Sequence, residues 1–203
     1  TPLTLIKGPL ENIILKKKVD AETREDLNIM KQNTERLLNL TNQLLDFRKT
    51  ESQGFRLNFA KCNVTEVLKE THVRFTSLAK QKGLEFTLQV PEKDFYAHVN
   101  REAFTKIISN LLNNGVKYAE SYVRISLEVP ETDEDHSFHI RTENDGVIIP
   151  NEMKEEIFKP FVRFNEKEDG KVTAGTGIGL ALSRSLTELH QGTLVMGKGE
   201  TNN

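Results

Sequence analysis

Three polar side chains on one predicted helix could hold a metal and a phosphate. In "REAFTKIISNLLNNGVKYAE", Asn110, Asn114 and Lys117 are spaced by four and three. They line up on a helix edge, about a third of a turn from the apolar face of Phe104, Ile107, Ile108, Leu111 and Leu112. Carboxamide oxygens suit a hard cation such as Mg2+, and an ammonium suits phosphate. The same spacing would also serve as a solvated polar edge. Further on, "GTGIGL" alternates Gly175, Gly177 and Gly179 just ahead of a helix. Glycines let backbone N–H groups approach an anion, and the helix points its positive end at the same spot. No Gly-Lys-Ser/Thr follows, so this is not a Walker loop, and no strand feeds into it as a dinucleotide fingerprint requires. A hinge before a helix is the plainer alternative. In "ENDGVIIP", Asn144 ends a predicted strand, Gly146 permits a tight turn and Pro150 restarts a helix. In "IFKPFVRF", Phe158, Phe161 and Phe164 recur every three residues and would anchor the polar loop that follows. Arg163 there reaches a phosphate or faces solvent.

The elements that must position these groups fall into two regimes. Residues 1 to about 53 carry almost no strand signal. Lys16, Lys17, Lys18 and Val19 with Asp20 read as a turn between helices. Beyond it Leu27, Met30, Thr34, Leu37, Thr41 and Leu44 form a heptad seam widened by Leu38 and Leu45. A lone hairpin cannot bury that stripe. A second copy forming a four-helix dimer is the simplest cover, and packing on the chain's own C-terminal part is the other. After Ser52, Gln53 and Gly54 the pattern becomes mixed. "FRLNF", "LEFTLQV", "FYAHV" and "GTLVM" read as strands, and "SYVRISLEV" and "HSFHIRTE" as a hairpin. Asn63 to Glu66 reads as a capping box opening a helix with Val64, Val67, Leu68, Phe75 and Leu78 on one side. A short helix around "NEMKEEIF" and a last helix within "GTGIGLALSRSLTELH" complete an α+β fold, a helical hairpin followed by an α/β sandwich.

Composition narrows the function classes. The chain has 203 residues, 29% charged, with a formal net charge of -2. That implies no general attraction to nucleic acid or an anionic membrane. The single cysteine, Cys62, rules out an internal disulfide and has no activating base near it in sequence. No apolar run approaches the ~18 residues of a membrane span.

In order along the chain, "NLLNNGVKY", "NDGVIIP", "IFKPF" and "GTGIGL" resemble the asparagine box, first glycine box, phenylalanine box and second glycine box of sensor histidine kinases. These belong to the wider gyrase/Hsp90/MutL ATPase fold. "TPLTLIKGPLE" resembles the first dimerisation helix of these kinases, and the wording of the boxes is most similar to hybrid two-component sensors. The resemblance implies a dimerisation and phosphotransfer hairpin at 1–53 and an ATP-binding catalytic domain at 54–203. The cofactors are then ATP and Mg2+, with Mg2+ on Asn114 and Asn110. Lys117 would contact phosphate, and Tyr118 would sit against the nucleotide. Gly175, Gly177 and Gly179 would wrap the phosphates with backbone amides, Asn110, Lys117 and Thr1 would serve the chemistry, and 165–174 would be the ATP lid. Asn144, Gly146, Ile149, Phe161, Arg163, Thr176, Ile178 and Leu180 complete the implied nucleotide set. The implied partners are a second copy through the hairpin and a response regulator receiver domain. The implied place is the cytoplasmic side, with membrane attachment only through upstream segments.

Three positions depart from the family pattern. Asn144 stands where an Asp usually accepts a hydrogen bond from the adenine amino group, and a neutral acceptor is weaker there by about 1 kcal/mol. Ile148 replaces a glycine, and Gly115 replaces an alanine at a helix-interior cost of up to ~1 kcal/mol. The five histidines, His72, His98, His136, His139 and His190, all lie outside the hairpin and read as structural. Thr1 and Pro2 match the last two positions of the family's His-Glu-x-x-Thr/Asn-Pro pattern. The expected nucleophile therefore lies four residues before Thr1, and one more strand is expected after Asn203. The chain is expected to bind ATP without autophosphorylating. A dimerising relay weakened in nucleotide binding is the alternative. An ATP-hydrolysing clamp is disfavoured, because Asn110 stands where such enzymes use a Glu base.

Overall fold

In a computed structural model, the described residues are 2–15, 20–52, 56–129, 137–164 and 175–197. They divide into two compact units, Thr1–Lys49 and Thr50–Asn203. The first is a hairpin of α1 (Pro2–Leu15) and α2 (Ala21–Glu51). Asp20 caps α2, accepting the Thr23 N–H and the Thr23 hydroxyl at 2.8 Å each. Those bonds hold its carboxyl below the usual range. Ion pairs cross between the helices, Lys7–Glu35 at 3.0 Å and Lys31–Glu11 at 3.9 Å.

The hairpin covers little of the heptad seam. Thr34 is buried, and its hydroxyl donates to the Met30 carbonyl at 2.8 Å. Leu27, Leu38 and Leu44 are half-buried, while Met30 and Leu37 stand 51% and 50% exposed. The expected turn at Lys16, Lys17, Lys18 and Val19 lies outside the described residues, as does Thr1.

In the second unit, β1 (Ala60–Asn63) pairs antiparallel with β3 (Tyr96–Val99), Ala60 opposite Val99. The other sheet has the order β2 (Glu85–Gln89), β4 (Tyr122–Glu128), β5 (His139–Asn144). β4 and β5 form the expected antiparallel hairpin, whereas β2 and β4 run parallel. The chain returns between β2 and β4 through β3 and α4 (Arg101–Tyr118), which is the crossover a parallel pair needs. The three-stranded sheet is therefore mixed. Glu85 N–H donates to the Ser121 carbonyl at 2.8 Å where this pair begins. α4 packs between α3 (Val64–Gln81) and α5 (Gly179–Leu189). Val64 and Leu68 of α3, Ile108, Leu112 and Val116 of α4, and the alternate residues Val123 and Ile125 of β4 form a solvent-free core.

Local chemistry explains the starts of the helices. Asn63 accepts the Glu66 N–H at 3.1 Å and caps α3, while the Glu66 carboxylate turns to Arg101 at 3.4 Å. Asn100 caps α4 by accepting the Ala103 N–H at 2.9 Å. Several expectations need correction. The strand expected in "FRLNF" starts instead at Ala60. Before it, the Asn58 carbonyl is taken by the Asn100 carboxamide at 3.1 Å, and Phe59 meets His190 edge-on at 5.4 Å. "GTLVM" forms no strand. Arg184 holds the Leu194 carbonyl at 3.2 Å in place of a ladder, and Val195 is 68% exposed. Leu78 is exposed, and Thr71 and Ala79 take the buried positions near it. The helix at "NEMKEEIF" is two 3-10 turns, Asn151–Met153 and Glu156–Phe158, which bury Ile157 and Phe158. Cys62 is buried under Arg101, and His190 Nε2 accepts the Asn100 N–H at 3.1 Å. The acidic tip of the β4–β5 hairpin and His136 lie outside the described residues.

Candidate functional site

The last two turns of α4, the turn after β5 and the start of α5 converge. Gly146 makes the first junction. A Cβ there would fall 1.9 Å from the Tyr118 carbonyl oxygen and 2.9 Å from Asn144 Nδ2, so no side chain fits. The neighbouring Asp145 fixes this approach. Its carboxylate accepts the N–H groups of Glu120, Ser121 and Tyr122 at 2.9–3.1 Å, and the Ser121 hydroxyl makes a further short bond to it. Partial burial pushes the Asp145 carboxyl up. The Ser121 hydroxyl and the N–H groups of Ser121, Tyr122 and Glu120 outweigh that, holding it well below the usual carboxylate range. Asp145 thereby clasps the loop after α4 to the turn after β5.

Lys117 makes the second junction. Its ammonium donates to the Tyr118 hydroxyl at 2.6 Å and sits over the Tyr118 ring, 4.3 Å from the centroid. A Cβ on Gly175 would meet the same ammonium at 2.9 Å. The cation thus lies directly against the glycine stretch. Gly177 makes the third junction. It adopts φ +69, its carbonyl accepts the Phe161 N–H at 2.8 Å, and a Cβ there would lie 2.8 Å from the Phe161 backbone. Phe161 also has positive φ (67) and a largely exposed ring. Both residues at this backbone clasp therefore hold the left-handed conformation, which only one of them adopts without cost.

One to two turns earlier on α4, Asn110 Nδ2 donates to the Gly179 carbonyl and the Ser183 hydroxyl, both at 3.2 Å. That orientation leaves the Asn110 carboxamide oxygen for a cation. Asn114 is half-buried between Asn110 and Lys117. Among the described residues no group of three or more His, Cys, Asp or Glu could hold a metal. A cation here would depend on the Asn oxygens together with a ligand's own oxygens. α5 begins at Gly179 with no side-chain cap, and Ile178 is fully buried beneath it. Its first N–H groups are the kind of uncapped donors that receive anions. Thr176 Oγ1 accepts the Ile178 N–H at 3.3 Å and shapes the approach.

The structure brings together Asn110, Lys117, Tyr118, Asn144, Gly146, Phe161, Gly175, Gly177 and Gly179 through these contacts. Ile149, Arg163 and Leu180 are half-buried in the same segments. Ile148 is exposed. The candidate lid, 165–174, lies outside the described residues. Sequence reasoning missed Asp145 and Ser183. Ser183 sits one turn after Gly179 on the same face, so helical spacing could have found it. Asp145 takes donors 23 to 25 positions away, and nothing local signals them. Gly115 is explained by its neighbours: a Cβ there would press on Val123 at 3.0 Å and Thr142 at 3.6 Å.

Residues 99–202 match the family model for histidine kinase-, DNA gyrase B- and HSP90-like ATPases, and residues 1–53 match the His Kinase A (phospho-acceptor) domain. The chain is 31% identical to histidine kinase P4 of Formosa agariphila over 96% of its own length and 14% of that protein's. It superposes on full-length ShkA in complex with AMPPNP with a TM-score of 0.75 at 21% identity, covering 97% of this chain and 42% of that one. Histidine kinase ThkA in complex with response regulator protein TrrA gives a TM-score of 0.68 at 23% identity, covering 98% of this chain and 54% of that one.

Proposed function

The chain belongs to the histidine kinase family, as a transmitter region with a helical hairpin and a mixed-sheet ATPase domain, and we propose that it binds Mg-ATP as the kinase core of a two-component sensor. The observation that carries this reading is the meeting of Lys117, the glycine stretch and the uncapped start of α5. An ammonium, a glycine-rich backbone and a helix start without a side-chain cap at one place favour a polyphosphate.

In this reading the roles divide by chemistry. Lys117 leaves the Tyr118 hydroxyl to meet phosphate, and Gly175, Thr176, Gly177, Ile178, Gly179 and Leu180 present the loop that wraps it. Phe161 and Arg163 flank that loop. Asn144, Gly146, Ile149 and Tyr118 border the base. The oxygens of Asn110 and Asn114 hold Mg2+, which neutralises phosphate charge when bound. Positioning and charge neutralisation then supply most of the catalysis. None of the five histidines in this sequence is the acceptor in this reading, Thr1 serves the chemistry, and the phosphoryl group passes from the acceptor histidine to a response regulator Asp. We place the domain boundary at 53/54, and the intact protein on the cytoplasmic side of a membrane. No described helix is long and apolar enough to cross one. Family membership implies dimerisation, and the exposed seam of the hairpin supports it.

Titration calorimetry with Mg-ATP tests the reading on the wild-type chain and on Gly177→Ala. Binding by the wild type, weakened at least tenfold in the variant, is the expected result (on the order of 1–2 kcal/mol of strain). No binding by the wild type at millimolar nucleotide favours the relay, which the neutral Asn144 motivates. Phosphohistidine detected on this chain after incubation with ATP would overturn the placement of the acceptor.

A further inference from the structure

The end of the site that the nucleotide-binding reading assigns to the base carries an amide, Asn144, and the nearest carboxylate, Asp145, is turned away. Asn144 is exposed at the end of β5, and its carboxamide is tied to no other described residue. Its Nδ2 lies over Gly146, 2.9 Å from where a Cβ would stand, so the missing Cβ leaves room for either end of the amide. The adjacent Asp145 cannot substitute. Its carboxylate is fully engaged by Glu120, Ser121 and Tyr122 on the other side of the turn.

A carboxylate only accepts hydrogen bonds. It accepts a hydrogen bond from an exocyclic amino group and repels the lone pairs of a carbonyl in the same place. A carboxamide has one accepting and one donating end, and a half-turn about its last bond exchanges them. Facing adenine, the oxygen accepts from the 6-amino group. Facing a 6-oxopurine, the NH2 donates to the carbonyl and the oxygen is left to accept the ring N1–H. We propose that Asn144 makes this a purine site of relaxed base choice, accepting 6-oxopurine triphosphates alongside ATP. The proposal rests on the nucleotide-binding reading above and assigns Asn144 as the specificity-determining group.

The test is calorimetry on the full chain with Mg-ATP and Mg-ITP, on wild type and Asn144→Asp. Inosine triphosphate is the better probe because it changes the 6-position without adding a 2-amino group. The wild type is expected to bind both within about tenfold of each other, the scale of one neutral hydrogen bond. Asn144→Asp is expected to keep or tighten ATP and to weaken ITP by on the order of a hundredfold. Circular dichroism confirms that this exposed substitution leaves the fold intact. Binding of ATP but not ITP by the wild type overturns the base-choice proposal and leaves the nucleotide site standing. An unchanged ATP-to-ITP ratio in the variant overturns the role of Asn144. Failure of both nucleotides to bind overturns this proposal together with the reading on which it rests.

Discussion

The two units spend their apolar residues differently. In the second unit the large residues of α3, α4 and β4 close on one another until Leu68, Leu112, Val116, Val123 and Ile125 are fully buried. In the hairpin, Thr34 and Leu10 are buried, while Leu5, Ile29, Met30, Leu37 and Leu45 stay half exposed or more. The hairpin's described crossings are ion pairs between side chains that keep about a third or more of their surface, and such pairs contribute little. The contrast separates a unit whose core is complete from one whose apolar face awaits a partner. A dimer interface is written in the same residue types as a core, and burial within one chain tells them apart.

Mutations can break that contrast if it is wrong. Leu112→Ala should have the largest effect, destabilising the second unit by about 2–5 kcal/mol in urea unfolding, because a cavity opens in a closed core. Asp145→Asn should come next. It should lower the melting temperature by several degrees and weaken Mg-ATP by raising its dissociation constant, since the turn and the end of α4 lose their clasp. The pH dependence has a definite sign. The folded Asp145 pKa is depressed, so its stabilisation is complete above the ordinary value of 3.8 and is lost as pH falls below it. Urea unfolding from pH 6 to pH 2 should show a shallower acid loss in Asp145→Asn than in wild type. Leu37→Ala should have the smallest effect on the unfolding of a single chain, under about 1 kcal/mol. Analytical ultracentrifugation should nonetheless show its dimer dissociating at lower dilution. An equal cost for Leu37→Ala and Leu112→Ala in dilute monomer would show that the seam is covered within one chain.

Much of this was legible in the sequence because it depends on periodicity and local chemistry. Asn63 announced a helix start, and the three-and-four spacing of Asn110, Asn114 and Lys117 placed them on one edge. Two of the alternating glycines have a local reason to be glycine, Gly177 in its positive φ and Gly175 in the close approach of Lys117. What escaped depends on partners far along the chain. Whether "FRLNF" or "AKCN" pairs with β3 is a matter of register, and the Asn58 and Phe59 contacts that settle it come from residues 100 and 190. "GTLVM" alternates as a strand should, yet alternation cannot supply a neighbour. Leu78 is exposed while Thr71 and Ala79 are buried, so the buried face of α3 is set by its neighbours and not by hydrophobicity alone. The Asn at position 144 was visible, but the work done by the neighbouring Asp145 carboxylate was not.

Ser121 stands at the crossing of two ties. Its N–H and hydroxyl go to Asp145, and its carbonyl takes the Glu85 N–H. One residue thus fastens the beginning of β2, the beginning of β4 and the turn beyond β5. In hydrogen-exchange terms, the amides of Glu85, Glu120, Ser121 and Tyr122 should open together, because each of their bonds ends on Ser121 or Asp145. A ligand that steadies the turn after β5 should then slow exchange at the start of β2, a strand it need never touch.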